Sequence, residues 1–313
     1  SILLRCTLPG ERSKLGYHSQ PGALVLRKPV LIKDLLQKEL QNLTPSERRL
    51  ATVLLQDYPV PGLQSITRLA TAAQVSTPTV IRMARKLGFE GFPGLQAALR
   101  EEVSAQIKKP MSKHEAWHIN ASSEHTINRF AKALSFNLQS SLETLDTNTF
   151  DLAAALLARP DMGVYLAGGR ITRSNADYFY NHLQIIRPGV TLLSGSENVW
   201  PQYLLDMGKD TVLILFDIRR YEKNLHRLAT LAKDRGCRII LFTDQWGSPI
   251  GNIADHSFRA LVEAPSSWDS TMVIMFYIEA LIAEVQNRMG TESHERIEEL
   301  EGMFGMTRIF RNL

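Results

Sequence analysis

Downstream of Pro160 the chain carries five short apolar runs, at Gly163–Ala167, Val190–Leu193, Thr211–Phe216, Arg238–Thr243 and Phe258–Val262. Each is too short to be a buried helix, and helical segments separate them at intervals of roughly 20–30 residues. Few architectures accept this pattern. A run that is apolar on both faces must be covered on both faces, and parallel neighbours need a crossover of a dozen or more residues rather than a tight turn. The rhythm therefore predicts an α/β unit with a five-stranded parallel sheet between helical layers. Thr271–Met289 reads as a strong amphipathic helix, and Thr291–Leu313 as a tail with a short charged helix.

Upstream the texture is helical in short pieces. Thr44-Pro45-Ser46-Glu47 supplies an N-cap, Pro at the first helical position and Glu at the third, ahead of the stripe Leu50, Val53, Leu54, Tyr58. Pro59, Pro61 and Gly62 end that stripe. A helix from about Ser65 to Gln74 and another from about Thr77 to Leu87 follow. The second has Thr77 as its expected cap, Pro78 at the first position and Gly88 as its stop. Glu124–Arg159 is again helical, with Ile127, Phe130, Leu134, Leu138, Leu142 and Leu145 spaced by three or four. The expected organisation is a flexible arm over 1–30, a helical domain over 31–107, a linker over 108–123, an α/β domain over 124–290 and a tail over 291–313.

Charge divides along the same line. Residues 1–110 hold 16 Lys/Arg against 8 Asp/Glu, whereas the remainder is mildly acidic, within an overall net charge of +4. A basic first third on a near-neutral partner is the footprint of a nucleic-acid-facing module. No apolar run approaches the roughly 20 residues that span a bilayer, and no signal-peptide pattern opens the chain. Cys6 and Cys237 lie too far apart in sequence to suggest a disulfide framework. These features lead to the expectation of a reduced, cytoplasmic protein with no membrane partner.

The basic module has a focus. Ser65–Phe89 reads as two short helices meeting at Val75-Ser76-Thr77, with no acid from Ser76 to Phe89. In the second helix Val80, Met83 or Ala84, and Leu87 share one face. The same period puts Thr79, Arg82, Arg85 and Lys86 opposite, and Ser76 and Thr77 at the helix start join them as expected DNA contacts. Arg can bind a guanine edge bidentately, Thr can meet a thymine methyl or a phosphate, and the helix N-terminus faces the backbone. Over Thr44–Val103 the chain resembles the DNA-binding domain of the RpiR/MurR family of bacterial transcription regulators. The resemblance rests on Thr44-Pro45-Ser46-Glu47, Leu69-Ala70, Ser76/Thr79-Val80-Ile81-Arg82 and Lys86-Leu87-Gly88-Phe89-Glu90-Gly91-Phe92. It implies that double-stranded operator DNA is the partner.

The α/β part is similar to the SIS (sugar isomerase) domain that follows this module in the same family. The resemblance implies ligand binding at the C-terminal strand ends, through a Gly-x-Gly-x-Ser loop and a Ser-x-Ser-Gly-x-Thr phosphate cradle. Here the first loop is Gly168-Gly169-Arg170-Ile171-Thr172, which keeps the first Gly and a hydroxyl but has Arg170 for the second Gly. The cradle is replaced by Phe216-Asp217-Ile218-Arg219-Arg220-Tyr221, in which none of the four characteristic residues survives. Bulky side chains obstruct the close amide approach that a Ser/Gly loop allows. Arg170, Arg219 and Arg220 are instead expected to form a side-chain clamp for a carboxylate or phosphate. Asp217 is expected to orient one Arg or bind an amine, and Gly168, Gly169, Thr172 and Tyr221 to complete the site.

The functional expectation is a regulator of a metabolic or uptake operon, a homodimer or homotetramer, whose operator affinity responds to a small anionic metabolite such as a sugar phosphate or carboxylate. Two alternatives stand beside it, a SIS-fold sugar-phosphate isomerase and an effector-independent DNA-binding dimer. No pair of Glu and His is placed for aldose–ketose chemistry, so no enzyme activity is expected. Asp244 and Glu197 read as helix caps, and Trp117, Trp200, Trp246 and Trp268 as core or interface anchors. The eight His show no ligand spacing and Gly168-Gly169 is no dinucleotide fingerprint, so neither metal nor cofactor is expected.

Overall fold

The computed structural model describes residues 31–107 and 124–308, so the expected arm and linker lie outside the described residues. The first helical group comprises α1 (Ile32–Glu39), α2 (Pro45–Gln56), the single turn α3 (Val60–Leu63), α4 (Ile66–Ala72), α5 (Thr77–Lys86) and α6 (Phe92–Ile107). The start of α2 is a complete capping box. The Thr44 N–H donates to Glu47 Oε2 at 2.9 Å and the Glu47 N–H to Thr44 Oγ1 at 3.4 Å. Leu50, Ala51 and Leu54 of α2, Leu69 and Ala70 of α4, and Val80, Met83, Ala84 and Leu87 close one core.

Both ends of α5 are set by local hydrogen bonds. Gln74 takes φ +52°, and the Val75 N–H reaches back to the Ala70 carbonyl, so the chain turns over Gln74-Val75-Ser76, one residue earlier than expected. Ser76, not Thr77, is the N-cap of α5, with Thr77 and Pro78 as its first two residues. At the other end Gly88, at φ +94°, lets the Phe89 N–H bond the Ala84 carbonyl and stops the helix.

Two helices, α7 (Thr126–Leu142) and α8 (Thr147–Leu157), lead into the α/β unit. It continues as β1 (Gly163–Gly168), α9 (Arg173–Ile186), β2 (Val190–Leu192), α10 (Trp200–Asp206), β3 (Thr211–Asp217), α11 (Lys223–Asp234), β4 (Arg238–Asp244), β5 (His256–Ala260), α12 (Met272–Met289) and α13 (Thr291–Thr307). All five strands are parallel, in the order β2-β1-β3-β4-β5. The last strand starts and ends two residues before the apolar run predicted it, because the Val262 N–H leaves the ladder for Gln245 Oε1. The tail helix is longer than expected, at 17 residues.

Alternation along β3 explains the layering. Val212, Ile214 and Phe216 face α8, α9 and α12, while Leu213 and Leu215 face α10 and α11. Phe216, Phe242 and Phe258 stack across β3, β4 and β5 at centroid separations of 4.7 and 4.8 Å, which helps to hold the register of the three strands. The connection after β1 runs to one face and that after β3 to the other. Their C-terminal ends therefore diverge, and a crevice opens between them at the topological switch point.

Candidate functional site

Two surfaces carry the chemistry. On α5, Arg82, Arg85 and Lys86 are exposed at the C-terminal half, and Ser76 and Pro78 at the start, with Thr77 half-buried. Thr79 does not share this face. It is 6% exposed, and its Oγ1 lies 3.0 Å from Ser76 Oγ and accepts from Arg82 Nη2 at 3.2 Å. The helical period accounts for the correction, since Thr79 and Met83 are four residues apart and lie on nearly the same line down the helix. Thr79 thus braces Arg82 instead of facing outward.

Lys86 also differs from expectation. Its Nζ lies 3.3 Å from Glu47 Oε2 and donates to the Asn42 carbonyl at 2.5 Å, which fastens α5 to the capping box of α2. Arg85 bends toward the Glu90 carbonyl at 3.3 Å but remains exposed. The structure adds a cation that periodicity in α5 could not reveal. Arg49 of α2 is exposed and reaches the Gln74 carbonyl of the turn at 3.5 Å, so it borders the start of α5.

The second surface is the switch-point crevice, a cleft of about 460 Å³. Gly169, Arg170, Ile171 and Thr172 line it from the first loop, Asp217, Ile218, Arg219, Arg220 and Glu222 from the second, and Ser267, Trp268 and Asp269 from the segment before α12. The two loops that carry the predicted residues do face each other. Their side chains, however, divide into those that reach the cleft and those that serve the fold.

Arg170 and Arg220 are exposed in the cleft, and among the described residues neither guanidinium has an acidic partner within 4 Å. Arg219 is turned inward, with only 4% of its side chain exposed. It lies over the Trp246 ring at 4.0 Å, 3.1 Å from Asp269 and 3.3 Å from Glu263, and donates to the Ala105 carbonyl of α6 at 3.0 Å. Adjacent residues separate this way because Arg220 holds φ +65°, which swings the chain between them. The expected three-Arg clamp is therefore two exposed Arg plus one that ties the cleft wall to the helical group.

The remaining predicted residues are corrected similarly. Thr172 is buried, its Oγ1 accepting from the Gly169 N–H at 2.9 Å and donating to the Phe216 carbonyl at 2.7 Å, so the hydroxyl is spent on closing the loop. A side chain on Gly168 would lie 2.6 Å from the Thr172 carbonyl oxygen, so its role is steric. Asp217 is 2% exposed. It accepts from Ser248 Oγ at 2.5 Å and from the Glu222 N–H at 3.2 Å, and orients no arginine. Burial pushes its carboxyl up to about 6. Tyr221 points away from the cleft and donates to Asp244 Oδ1 at 2.7 Å, and burial raises its phenol far above the usual range. Asp244 caps no helix. It gathers the Arg219, Trp246 and Gly247 amides as well as Tyr221, and burial raises its carboxyl despite those donors.

Sequence reasoning missed Glu222, Trp268 and Asp269. Glu222 donates nothing to a motif, yet its Oε1 accepts the Arg170 N–H at 2.8 Å across the cleft. Trp268, expected as an anchor, is 55% exposed at the rim. Trp200 does behave as an anchor, its Nε1 donating to the Ser194 carbonyl at 2.8 Å. Trp117 and Cys6 lie outside the described residues, and Cys237 is buried and unpaired. Among the described residues no cluster of His, Cys, Asp and Glu is placed to hold a metal, and no helix is long and apolar enough to cross a membrane.

Comparison with known proteins agrees with both halves of this geometry. Residues 30–106 match the helix-turn-helix domain of the rpiR family, and residues 157–284 match the SIS domain. The HTH-type transcriptional regulator HexR of Escherichia coli is 24% identical over 239 residues, 76% of this chain and 79% of that protein. RpiR of the same organism is 24% identical over 225 residues, covering 71% of this chain and 73% of that protein. An uncharacterised HTH-type regulator of Clostridium perfringens is 22% identical over 258 residues, 81% of this chain and 91% of that protein. The sugar isomerase domain of an RpiR transcription factor from Sphaerobacter thermophilus superposes with a TM-score of 0.52 at 19% identity, over 56% of this chain and 97% of that one, a likeness of fold. With the capped helix-turn-helix, the parallel sheet and its switch-point cleft all in place, the chain belongs to the RpiR family of helix-turn-helix transcriptional regulators that carry a SIS domain.

Proposed function

We propose that this regulator binds operator DNA as a homodimer or dimer of dimers and that a small anion in the switch-point cleft changes its operator affinity. The observation that carries the reading is the pairing of an rpiR-type helix-turn-helix with an open cleft that presents Arg170 and Arg220. Ser76, Thr77, Arg82 and Arg85 are the DNA-facing set, with Arg82 the base reader and Arg49 a flanking phosphate contact. Residues 31–107 form the DNA-binding domain, and 124–290 the effector and dimerisation domain, joined through 108–123. A single helix-turn-helix offers little surface for specificity, and two copies reading half-sites about one helical turn apart supply it.

The effector carries a carboxylate or phosphate for the two arginines. Its signal has a short route to the DNA-binding domain, because Arg219 lines the cleft and holds the Ala105 carbonyl near the end of α6. An anion that competes with Asp269 for Arg219 alters that tether, which is the differential contact an allosteric response requires. The protein works in the cytoplasm and catalyses no isomerisation. In support, no histidine lines the cleft among the described residues, and its carboxylates are held by Ser248, by the Arg170 amide and by Arg219.

The test is titration of a fluorescent duplex, taken from upstream of the protein's own gene, with and without sugar phosphates, organic acids and amino acids. The same compounds are assayed for turnover. Specific binding shifted by one compound class, with no turnover, is the expected result. Affinity indifferent to every compound would leave only a constitutive DNA-binding dimer, and turnover of a sugar phosphate would restore the isomerase.

A further inference from the structure

Glu222 immediately precedes α11, and its side chain forms no cap bond to that helix's first amides. It extends to the other loop, where Oε1 accepts the Arg170 N–H at 2.8 Å. The same carboxylate lies against Gly169 so closely that a Cβ there would be 2.5 Å from Oε1 and 2.9 Å from Cδ. Gly169 is thus small enough for an anion to rest on the loop backbone, and the anion resting there belongs to the chain. The Gly169 N–H is engaged by Thr172 Oγ1, which leaves the Arg170 N–H to the carboxylate.

We infer that Glu222 is a specificity-determining residue of the cleft: its carboxylate holds the loop position an incoming anion would take, and so excludes phosphate monoesters. The inference rests on the cleft being the effector site. A dianionic phosphoryl group in this space meets a fixed negative charge beside the Arg170 N–H, and its repulsion is twice that felt by a monoanion. Arg170 and Arg220 sit outside that position and remain open to a singly charged carboxylate. Ile171 and Trp268 line the same space and offer apolar surface to the remainder of such a ligand. The cleft is therefore suited to a small organic acid rather than to a sugar phosphate.

The experiment compares wild type with Glu222→Ala and Glu222→Gln in the full chain, by calorimetric titration at constant ionic strength. The probes are inorganic phosphate and glucose 6-phosphate, a simple phosphate monoester, with acetate as the monoanion control. Wild type should bind neither phosphate measurably. Glu222→Ala should gain about tenfold or more for both, since removal of one nearby charge at partial exposure readily amounts to ~1.4 kcal/mol. Glu222→Gln keeps the acceptor on the Arg170 amide but loses the charge, so it should gain less, and it decides the matter if the alanine variant fails to fold. Wild-type phosphate affinity equal to that of the variants, or no gain in either folded variant, would overturn the inference. Failure of the effector reading shows up separately, as operator binding that ignores every metabolite in wild type while the phosphate gain of Glu222→Ala persists.

Discussion

Neutralising Asp217 should make this protein more stable, although Asp217 lies at the end of the central strand in the cleft wall. Its carboxylate is almost fully buried, with Ser248 Oγ and the Glu222 N–H as donors, and the carboxylates of Asp244 and Glu222 oppose its ionisation. Burial dominates, and the carboxyl is raised from 3.8 to about 6. Between those values the folded protein holds the proton more firmly than the unfolded chain does. Stability therefore falls as pH rises from about 4 to 6 and levels off above, by about 3 kcal/mol for a shift of roughly two units. Asn has the shape of the protonated acid: Oδ1 can accept from Glu222, and Nδ2 can donate to Ser248 Oγ. Asp217→Asn should thus gain about 2–3 kcal/mol at pH 8, about half as much at pH 5, and almost nothing below pH 4. At roughly 2–4 °C per kcal/mol for a domain of this size, the melting temperature should rise by about 5–10 °C at pH 8. Thermal melts of both proteins across pH 4–8 measure this directly. A variant that melts below wild type at pH 8, or whose advantage is the same at pH 5 and pH 8, would show that Asp217 is not held as a destabilising buried charge.

Arg82→Ala should weaken specific operator binding by about 1–3 kcal/mol while changing binding to random duplex much less; equal losses on both DNAs would remove its base-reading role. Lys86→Ala, because Lys86 is engaged by Glu47 and Asn42, should lower stability by about 1 kcal/mol or less and leave the salt dependence of DNA binding nearly unchanged. Arg49→Ala should flatten that salt dependence by about one phosphate's worth, and an unchanged slope would place Arg49 off the DNA. Arg187 is fully buried and donates to the carbonyls of Leu157, Met162 and Pro188. Arg187→Met would leave these carbonyls unpaired and should cost about 3 kcal/mol or more in a urea melt, against little change if water replaced the guanidinium.

What was legible in the sequence depended on local chemistry. Thr44 and Glu47 cap each other three residues apart, Gly88 stops α5, and apolar runs of five or six residues mark the interior strands. Each of these features can be read within a window of a few residues. The motifs over Thr44–Phe92 placed the helix-turn-helix, and the departure of Asp217–Tyr221 from a Ser/Gly cradle placed the altered loop. Where a short-range rule was applied too coarsely, it failed by a small step. Ser76 displaced Thr77 as the cap, and Thr79 fell on the inner side of its helix because it shares a line with Met83.

Helical and strand periods therefore determined which elements form, in what order, and which face of each is apolar. They carry no information about which distant group a charged side chain will find. Lys86 meets Glu47 39 residues away, Glu222 meets the Arg170 amide 52 residues away, and Arg219 meets the Ala105 carbonyl 114 residues away. Only the tertiary structure decides such pairings, because they arise where loops from separate strands converge. There a single positive φ at Arg220 sends neighbouring arginines in different directions. The sequence put arginines on both loops, and its resemblance to the SIS domain implied that those loops would face each other. The packing of the chain decided that Arg170 and Arg220 would stay exposed in the cleft, that Arg219 would bind the helical domain, and that Glu222 would reach across to the Arg170 amide.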